Sequence, residues 1–200
     1  MATVDAEKKL QKRVLHWLVD DLGYTYLGNL EDIDNTPVKE DLLKANLKKR
    51  GYSDDQIKTA ISELLSKVNN QVDTLYQINR SVYSLLRYGR QGAKDANGRR
   101  QTVHYINWDD IGSNDFYVAE EVSVLRFDKV TRKRPDVVLY INGIALGVFE
   151  LKSSYVSAGK GIRQMMQNQK RENILNFFST AQFLFAGNEA EGLFYGTTDT

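Results

Sequence analysis

The fold of this chain is decided by the stretch Arg134-Pro-Asp-Val-Val-Leu-Tyr-Ile-Asn-Gly-Ile-Ala-Leu-Gly-Val-Phe-Glu-Leu-Lys152. Two apolar runs flank Asn142-Gly143, and Asn-Gly between such runs is the strongest short-range signal for a β-hairpin. Asp136 opens the first predicted strand, and Glu150 and Lys152 close the second. Strands this apolar are usually covered on both faces, where an unpaired charge is costly. The three charged side chains therefore require a structural or chemical explanation.

The length of the hairpin loop decides whether these charges meet, because side chains alternate between the two faces of a strand. With a two-residue loop, Asp136 would point to the opposite face from Glu150. A three-residue loop, with Gly143 in the left-handed conformation, reverses that parity and places Asp136 on the same face as Glu150 and Lys152. We predict this three-residue loop, or a β-bulge with the same effect.

Two clustered carboxylates repel each other, and the pKa of each would rise unless a cation lay between them. Mg²⁺ prefers oxygen ligands and keeps several waters, so Asp136, Glu150 and the backbone carbonyl of Leu151 would suit it. Such an ion activates water and polarises a phosphoryl group, while Lys152 orients the attacking water or stabilises the transition state. The residues alone leave another interpretation open, in which Asp136 caps a turn and Glu150 and Lys152 form an exposed pair.

Pro135-Asp136 followed by Glu150-x-Lys152 on the next strand resembles the PD-(D/E)xK nuclease superfamily. The resemblance narrows to the N-terminal nuclease region of the restriction (HsdR-type) subunit of type I restriction-modification enzymes. It covers essentially the whole chain and is carried by residues 133–152 and 161–169, together with Leu22-Gly-Tyr24, Asn176-Phe-Phe178 and Tyr195-Gly-Thr197.

The resemblance implies two further site residues. That family carries a glutamine on the helix after the Glu-x-Lys strand, often as Gln-x-x-x-Tyr, and Gln164 stands at the matching position while Asn168 replaces the tyrosine. Related nucleases place an acidic residue of the first helix near the metal, which makes Glu7 a candidate ligand. The resemblance also implies a restriction-endonuclease-like core.

The first part of the chain reads as helical. An apolar helical pattern ends near Gly23, Thr36-Pro37 can begin a helix that ends near Gly51, and Ser53-Asp-Asp-Gln56 resembles a capping box. We predict a helical insertion over about residues 36–89 in a single domain spanning residues 1–200. Residues 89–100, rich in Gly, Lys and Arg, are predicted to form a mobile basic loop.

Strands dominate after this insertion. We predict strands over residues 102–107 and 116–127, the hairpin, a helix from about 158 to 178, and strands near 182–186 and 193–197. This order indicates an α/β fold, with a mixed central sheet flanked by helices.

Candidate DNA contacts lie on both sides of the hairpin. The basic run before it offers Lys133 and Arg134 to phosphates, although such runs are more often solvated. On the following helix, one face carries polar residues and the other is predicted core. The polar face has Lys160, Gln164, Asn168 and either Arg171 or Glu172, with Arg163 as a further phosphate contact; the core face has Ile162, Met165 and Met166.

Composition limits the function classes. A net charge of +1 gives no global attraction to DNA, so affinity must come from local patches or partners. The absence of cysteine excludes disulfides and thiolate metal sites, and no apolar run reaches the length of a membrane span. We expect a cytoplasmic protein of a bacterium or archaeon, with no membrane association.

No Gly-x-x-x-x-Gly-Lys-Ser/Thr loop is present, so the chain is not itself an ATP-driven motor. We expect a fragment of a longer chain, whose missing motor domains use ATP. The predicted function is that of a type I site-specific deoxyribonuclease: a Mg²⁺-dependent endonuclease that cuts double-stranded DNA after translocation by that motor. Methylation and specificity subunits would be its partners, and the isolated fragment would be weak or inactive. The alternative is a non-catalytic docking or DNA-binding module of the same complex.

Overall fold

The computed structural model of the chain describes residues 2–95 and 97–198, so Met1, Ala96, Asp199 and Thr200 lie outside the described residues. The helices are α1 (Ala2–His16), α2 (Glu40–Lys49), α3 (Asp54–Val68), α4 (Leu75–Tyr88) and α5 (Ala158–Asn168). The strands are β1 (Thr25–Asn29), β2 (Arg90–Lys94), β3 (Arg100–Val103), β4 (Phe116–Glu120), β5 (Val124–Leu125), β6 (Arg132–Lys133), β7 (Val137–Ile141), β8 (Ile144–Leu151), β9 (Phe183–Asn188) and β10 (Gly192–Gly196). A π-helical turn (Trp17–Asp21) continues α1, and 3-10 turns lie at Ile111–Ser113 and Leu175–Ser179.

Within the described residues, six strands form a mixed central sheet in the order β1-β4-β7-β8-β9-β10. β1 runs parallel to β4 and β8 runs parallel to β9, whereas the other neighbouring pairs are antiparallel. Strands β2 and β3 form a separate antiparallel ribbon, as do β5 and β6. The predicted α/β class, with a mixed sheet and flanking helices, is confirmed.

The hairpin that decides the fold has a tighter turn than the predicted three-residue loop. Ile141 pairs with Ile144, and Asn142 and Gly143 both have positive φ, 52° and 84°, as a two-residue type I′ turn requires. The parity is restored by a β-bulge, since Tyr140 pairs with Ala145 but Leu139 pairs with Gly147. The prediction of a three-residue loop was therefore wrong, and its alternative, a bulge with the same effect, is confirmed.

Helices cover both faces of the sheet. On one face, α1 and the π-helical turn contribute to a cluster of Leu15, Leu18, Val118, Val137, Phe149 and Leu151. On the other, α5 and the segment after it contribute Met165, Ile174, Phe177 and Phe178, which pack with Val138, Tyr140 and Val148. Burying these side chains stabilises the strands on which the charged residues lie.

The helical insertion has its own core and is tied to the hairpin. Its three helices pack against Ile144 and Leu146 of β8. Backbone bonds run from Lys39 N to Gly143 O (2.7 Å) and from Ala145 N to Pro37 O (2.8 Å). The Gly143 turn is tightly packed, because a Cβ at that position would lie 2.6 Å from the Lys39 oxygen.

Several predicted boundaries were wrong. Thr36-Pro37 do not begin a helix: Val38 bridges to Ile144, and α2 begins at Glu40. The predicted basic loop at 89–100 contains β2 and the start of β3, and the strand predicted over 102–107 ends at Val103. The helix predicted to reach 178 ends at Asn168. Strand β1 was not predicted, because it is short and half exposed at a sheet edge. No helix among the described residues is long and apolar enough to cross a bilayer.

Candidate active site

The hairpin brings the two carboxylates together at one end of the sheet. Val137 pairs with Phe149, so Asp136 and Glu150 occupy the next positions on their strands. An oxygen of Asp136 (Oδ2) accepts a 2.6 Å hydrogen bond from the backbone N–H of Leu151. Both residues are buried, with 9% of Asp136 and 1% of Glu150 exposed. Such burial is costly for two acids unless a cation is near.

Lys152 supplies a positive charge to this pair. Its Nζ lies 2.5 Å from Glu150 Oε1 and 3.0 Å from the Leu151 carbonyl oxygen. It also lies 3.8 Å from Oε1 of Glu7 on α1, while 12% of the Lys152 side chain is exposed. The ammonium group therefore contacts Glu150 and the Leu151 carbonyl, two of the three groups predicted to bind a metal. Helix α1 brings Glu7 close to the same ammonium.

Burial is the largest influence on the pKa values of Asp136 and Glu150. It raises the pKa of Asp136 to about 7, against the opposing effects of Lys152 and the Leu151 N–H. Burial and the charge of Asp136 raise the pKa of Glu150 to about 8. Burial alone would lower the pKa of the Lys152 ammonium, but Glu150, Asp136 and Glu7 together raise it above its ordinary value. The site is thus short of positive charge when all its acids are ionised.

One oxygen shows where further positive charge fits. Glu150 Oε2 is buried and has no hydrogen-bond partner among the described residues. In residues 2–95 and 97–198, no three carboxylate, imidazole or thiol groups converge in the manner of a preformed metal cluster. A divalent cation held here would therefore use two carboxylates and the Leu151 carbonyl, with water or phosphate as the remaining ligands, a donor set that suits Mg²⁺.

We expect the metal-free chain to lose stability as the pH rises from about 4 to about 8. The pKa values of Asp136 and Glu150 are raised in the folded state, to about 7 and about 8. Their favourable contribution is therefore complete below the unfolded-state values of about 4 and is lost as the pH passes the folded-state values. Thermal midpoints measured in EDTA across this range would check it.

The same scan with excess Mg²⁺ serves as its comparison. If a cation binds the ionised pair, Mg²⁺ should raise the midpoint more at pH 8 than at pH 5. A control variant, Glu172→Gln, removes an exposed carboxylate and should leave the pH profile unchanged. A metal-free midpoint that climbs steadily up to pH 8 would contradict the interpretation of the buried pair.

Helix α5 lies directly against the site. A Cβ on Gly161 would lie 3.3 Å from the Glu150 carbonyl oxygen and 3.5 Å from the Lys152 side chain, so the backbones approach closely. Gln164 lies about one turn further along α5 and is exposed, and its side chain makes no hydrogen bond with the described residues. Its amide is therefore free for a ligand.

The predicted division of α5 into faces was wrong in part. Asn168 is buried rather than on the polar face, while Ile162 and Met166 are 37% and 50% exposed. The buried face consists of Ala158, Gly161, Met165 and Asn168. Two of these four residues, Ala158 and Gly161, are small, and at Gly161 the helix backbone comes close to that of β8.

The four residues predicted to contact DNA differ in how accessible their charges are to a phosphate. Lys160 and Arg163 are exposed on α5. Lys133 is half buried in β6. Arg134 Nε lies 2.6 Å from Glu121 Oε2, and its Nη1 also pairs with Glu31. Two carboxylates thus neutralise Arg134, which leaves it little charge for a phosphate.

A polar network that was not predicted joins α1 to the site. Gln11, one turn after Glu7 and 4% exposed, donates to Glu120 (2.8 Å) and Glu121 (3.2 Å). Glu121 has a φ of 51°, and its N–H donates to the Asp136 carbonyl at 2.9 Å. Burial raises the pKa of Glu121. The adjacent acids at 120–121 were a visible signal, but the role of Gln11 depends on a contact more than 100 residues away.

The chain is similar in sequence to subunits of type I restriction enzymes. The family model described as "Type I restriction enzyme R protein N terminus" matches residues 6–200. A protein named as the type I restriction enzyme MjaIXP endonuclease subunit, from Methanocaldococcus jannaschii, is 36% identical over 74 residues, which is 36% of this chain and 7% of that protein. The type I restriction enzyme HindI endonuclease subunit of Haemophilus influenzae is 29% identical over 94 residues, 46% of this chain and 9% of that protein. The matched regions are thus a small part of either relative.

Proposed function

Because this chain belongs to the family of type I restriction enzyme R protein N termini, we propose that it is a Mg²⁺-dependent DNA endonuclease domain. The observation that carries the proposal is the convergence of Asp136, Glu150 and Lys152 at one buried strand end. A buried pair of acids whose pKa values are strongly raised, beside a lysine, is an expensive arrangement that a packing role does not require.

Asp136, Glu150 and the Leu151 carbonyl would hold the divalent ion, with Glu7 close enough to bind through water. When bound, that ion supplies Lewis-acid activation of the phosphate and a more acidic water. Glu150 Oε2, which has no partner among the described residues, is the oxygen best placed to gain from it.

Lys152 has a different role from the two acids. Its ammonium is held beside Glu150 Oε1 and the Leu151 oxygen, next to the Glu150 Oε2 that would bind the cation. From there it would donate a hydrogen bond to the attacking water or to a phosphate oxygen as charge develops. Water displaces the leaving oxygen directly, and no covalent enzyme intermediate is required.

Residues of α5 and β6 complete the proposed site. Gln164 would donate to a phosphate or to the attacking water from one turn beyond Gly161. Lys160 and Arg163 would contact flanking phosphates, and Lys133 would do so from β6. These contacts fix the DNA backbone and carry no sequence information. Sequence choice would therefore come from other subunits.

The wider assignment follows from the relatives named as endonuclease subunits of type I restriction enzymes. We assign ATP-driven translocation to other domains of the complete subunit, and modification and site recognition to methylation and specificity subunits. We propose double-stranded DNA as the substrate and the cytoplasm of a bacterium or archaeon as the location of the activity. With a net charge of only +1, the isolated chain should bind DNA weakly and cut it poorly.

We expect the isolated chain to bind Mn²⁺ or Mg²⁺ with a measurable heat, and Asp136→Asn to weaken that binding by at least about tenfold, because even outer-shell partners contribute 10–100-fold to metal affinity. Isothermal titration calorimetry at pH 8 is the direct measurement. Asp55→Asn, which removes an exposed carboxylate on α3, is the matched control. No heat with either ion, or equal heats in all three proteins, would favour a docking or DNA-binding module without chemistry.

A further inference from the structure

A polar cavity lies away from the candidate active site. It has a volume of about 300 Å³ and opens between the segment before α2, the α3–α4 turn, the β5–β6 hairpin and the chain after α5. This volume is at the lower end of the range for small-molecule sites. None of the residues assigned above to metal, water or DNA lines it.

The cavity presents positive charge that its surroundings neutralise only in part. Arg126, Lys129 and Arg171 all line it. Arg126 Nε is buried and has no partner among the described residues, whereas Arg126 Nη1 donates to Thr131 Oγ1 at 3.0 Å and forms a long ion pair of 3.8 Å with Asp128. Arg171 donates to a backbone oxygen, that of Gln71 (2.7 Å). In the described part of the chain, neither Arg171 nor Lys129 forms an ion pair.

Two carboxylates also line the walls against the three cationic side chains, and one of the two is already paired with an arginine outside the lining. Asp34 accepts a 2.9 Å bond from Leu125 N and pairs with Arg132 at 3.4 Å. Asp73 Oδ2 accepts a 2.8 Å bond from Asn70. The cavity therefore favours an anion, and the planar guanidinium groups of its arginines suit a phosphate.

The remaining walls suit a heterocycle. The side-chain amides of Asn69, Gln71 and Asn176 line the cavity and make no hydrogen bonds with the described residues. An amide presents a donor and an acceptor side by side, which is the pairing that reads the edge of a base. Phe127, 63% exposed, lies at the same cavity and offers a ring for stacking.

We propose that this cavity binds one unpaired nucleotide, with its phosphate on Arg126 and Arg171 and its base against the amides and Phe127. The source can be a free nucleotide or a nucleotide unpaired from a DNA strand. Ribbon β5–β6 connects the cavity to the active site: Arg126 N bonds to Thr131 O (2.8 Å), and Thr131 precedes Asp136 by five residues. Those residues span at most about 18 Å, or about five nucleotides at 3.4 Å each.

The test measures binding by the 200-residue chain in EDTA, so that it does not depend on metal or cleavage. A labelled 12-nucleotide single strand and dAMP are the probes. We expect Arg171→Gln and Arg126→Gln each to weaken binding of both probes at least about tenfold, because charge-assisted hydrogen bonds are lost. The log–log salt slope for the single strand should fall by about 0.7 per phosphate contact removed. Lys170→Gln, an exposed neighbour that does not line the cavity, should behave as wild type.

A second measurement keeps the proposal testable if the variants fold poorly. Addition of dAMP to ¹⁵N-labelled wild type should shift backbone amide resonances of residues 124–129 and 173–177, and deoxyadenosine without phosphate should not. Competition between dAMP and the single strand assigns the DNA source, and binding of dAMP alone assigns the free nucleotide. Shifts confined to other residues, or a loss of duplex binding in the variants with no response to dAMP, would overturn the proposal.

Discussion

Replacing Glu150 with glutamine should lower DNA cleavage by the complete restriction enzyme at least about 100-fold, because it removes an anionic ligand whose outer-shell partners alone can contribute 10–100-fold. The same change should stabilise the metal-free chain. Glu150 is 1% exposed, and burial raises its pKa to about 8, so its ionised form is costly at neutral pH and above. A neutral amide of the same shape avoids that cost, while Lys152 keeps the charges of Asp136 and Glu7 beside it and is not left unpaired.

Two measurements on the same variant separate these effects. Plasmid cleavage by the reconstituted enzyme reports the catalytic loss. The thermal midpoint of the chain in EDTA at pH 8 should rise by several degrees, since about 1 kcal/mol corresponds to roughly 2–4 °C in a domain of this size. Glu172→Gln should change neither quantity. Full cleavage by Glu150→Gln would remove the case for a catalytic metal and support a docking role.

The predicted gain in stability of Glu150→Gln means that burying the ionised carboxylate costs folding free energy. The strands of the hairpin are almost entirely apolar, and every residue of β8 is buried. Such strands hold Asp136 and Glu150 rigidly in an environment of low polarity, where their attraction to a bound cation is strong. The arrangement that destabilises the metal-free chain is therefore the one that would make a tight, well-ordered metal site.

The sequence predicted that Asp136, Glu150 and Lys152 converge, but it did not predict the position of the β-bulge that brings them to one face. Asn142-Gly143 predicted the turn, and the parity of Asp136 and Glu150 required one irregular residue somewhere in the hairpin. That irregularity is a bulge before Gly147 rather than a longer loop. An isolated glycine inside an apolar strand often marks a bulge, so Gly147 was the signal that would have located it.

Two features of the site were not predicted because they depend on contacts between residues far apart in the sequence. Gln11 and Glu121 are joined across 110 positions, and no local periodicity connects them. The core face of α5 was misassigned for a related reason. Gly161 lies so near β8 that a Cβ there would be 3.3 Å from the Glu150 carbonyl oxygen, and a search for large apolar residues selects the exposed Ile162 and Met166 instead. A helix that packs through small residues gives a weak apolar signal.

Replacing Lys152 with alanine should also abolish cleavage, but with the opposite consequence for metal binding. The loss should reach about 100- to 1,000-fold, the range for removing one positioned donor to a transition state. Lys152 Nζ contacts Glu150 Oε1 (2.5 Å) and the Leu151 oxygen (3.0 Å), so its positive charge opposes a cation bound to the neighbouring Glu150 Oε2 and to the Leu151 carbonyl. Affinity for Mn²⁺ should therefore be equal to or higher than that of wild type.

Calorimetry on the chain and cleavage by the complete enzyme test the two halves of this prediction, and ATP turnover measured in parallel reports the motor. We expect lost cleavage with preserved ATP turnover, whereas the surface control Lys170→Ala should retain both activities. Loss of metal binding in Lys152→Ala would mean that the lysine only holds the two acids in place. Unchanged cleavage would show that the hydrolytic centre lies elsewhere in the complex, because a buried ammonium bonded to two proposed metal ligands could then have no part in the chemistry.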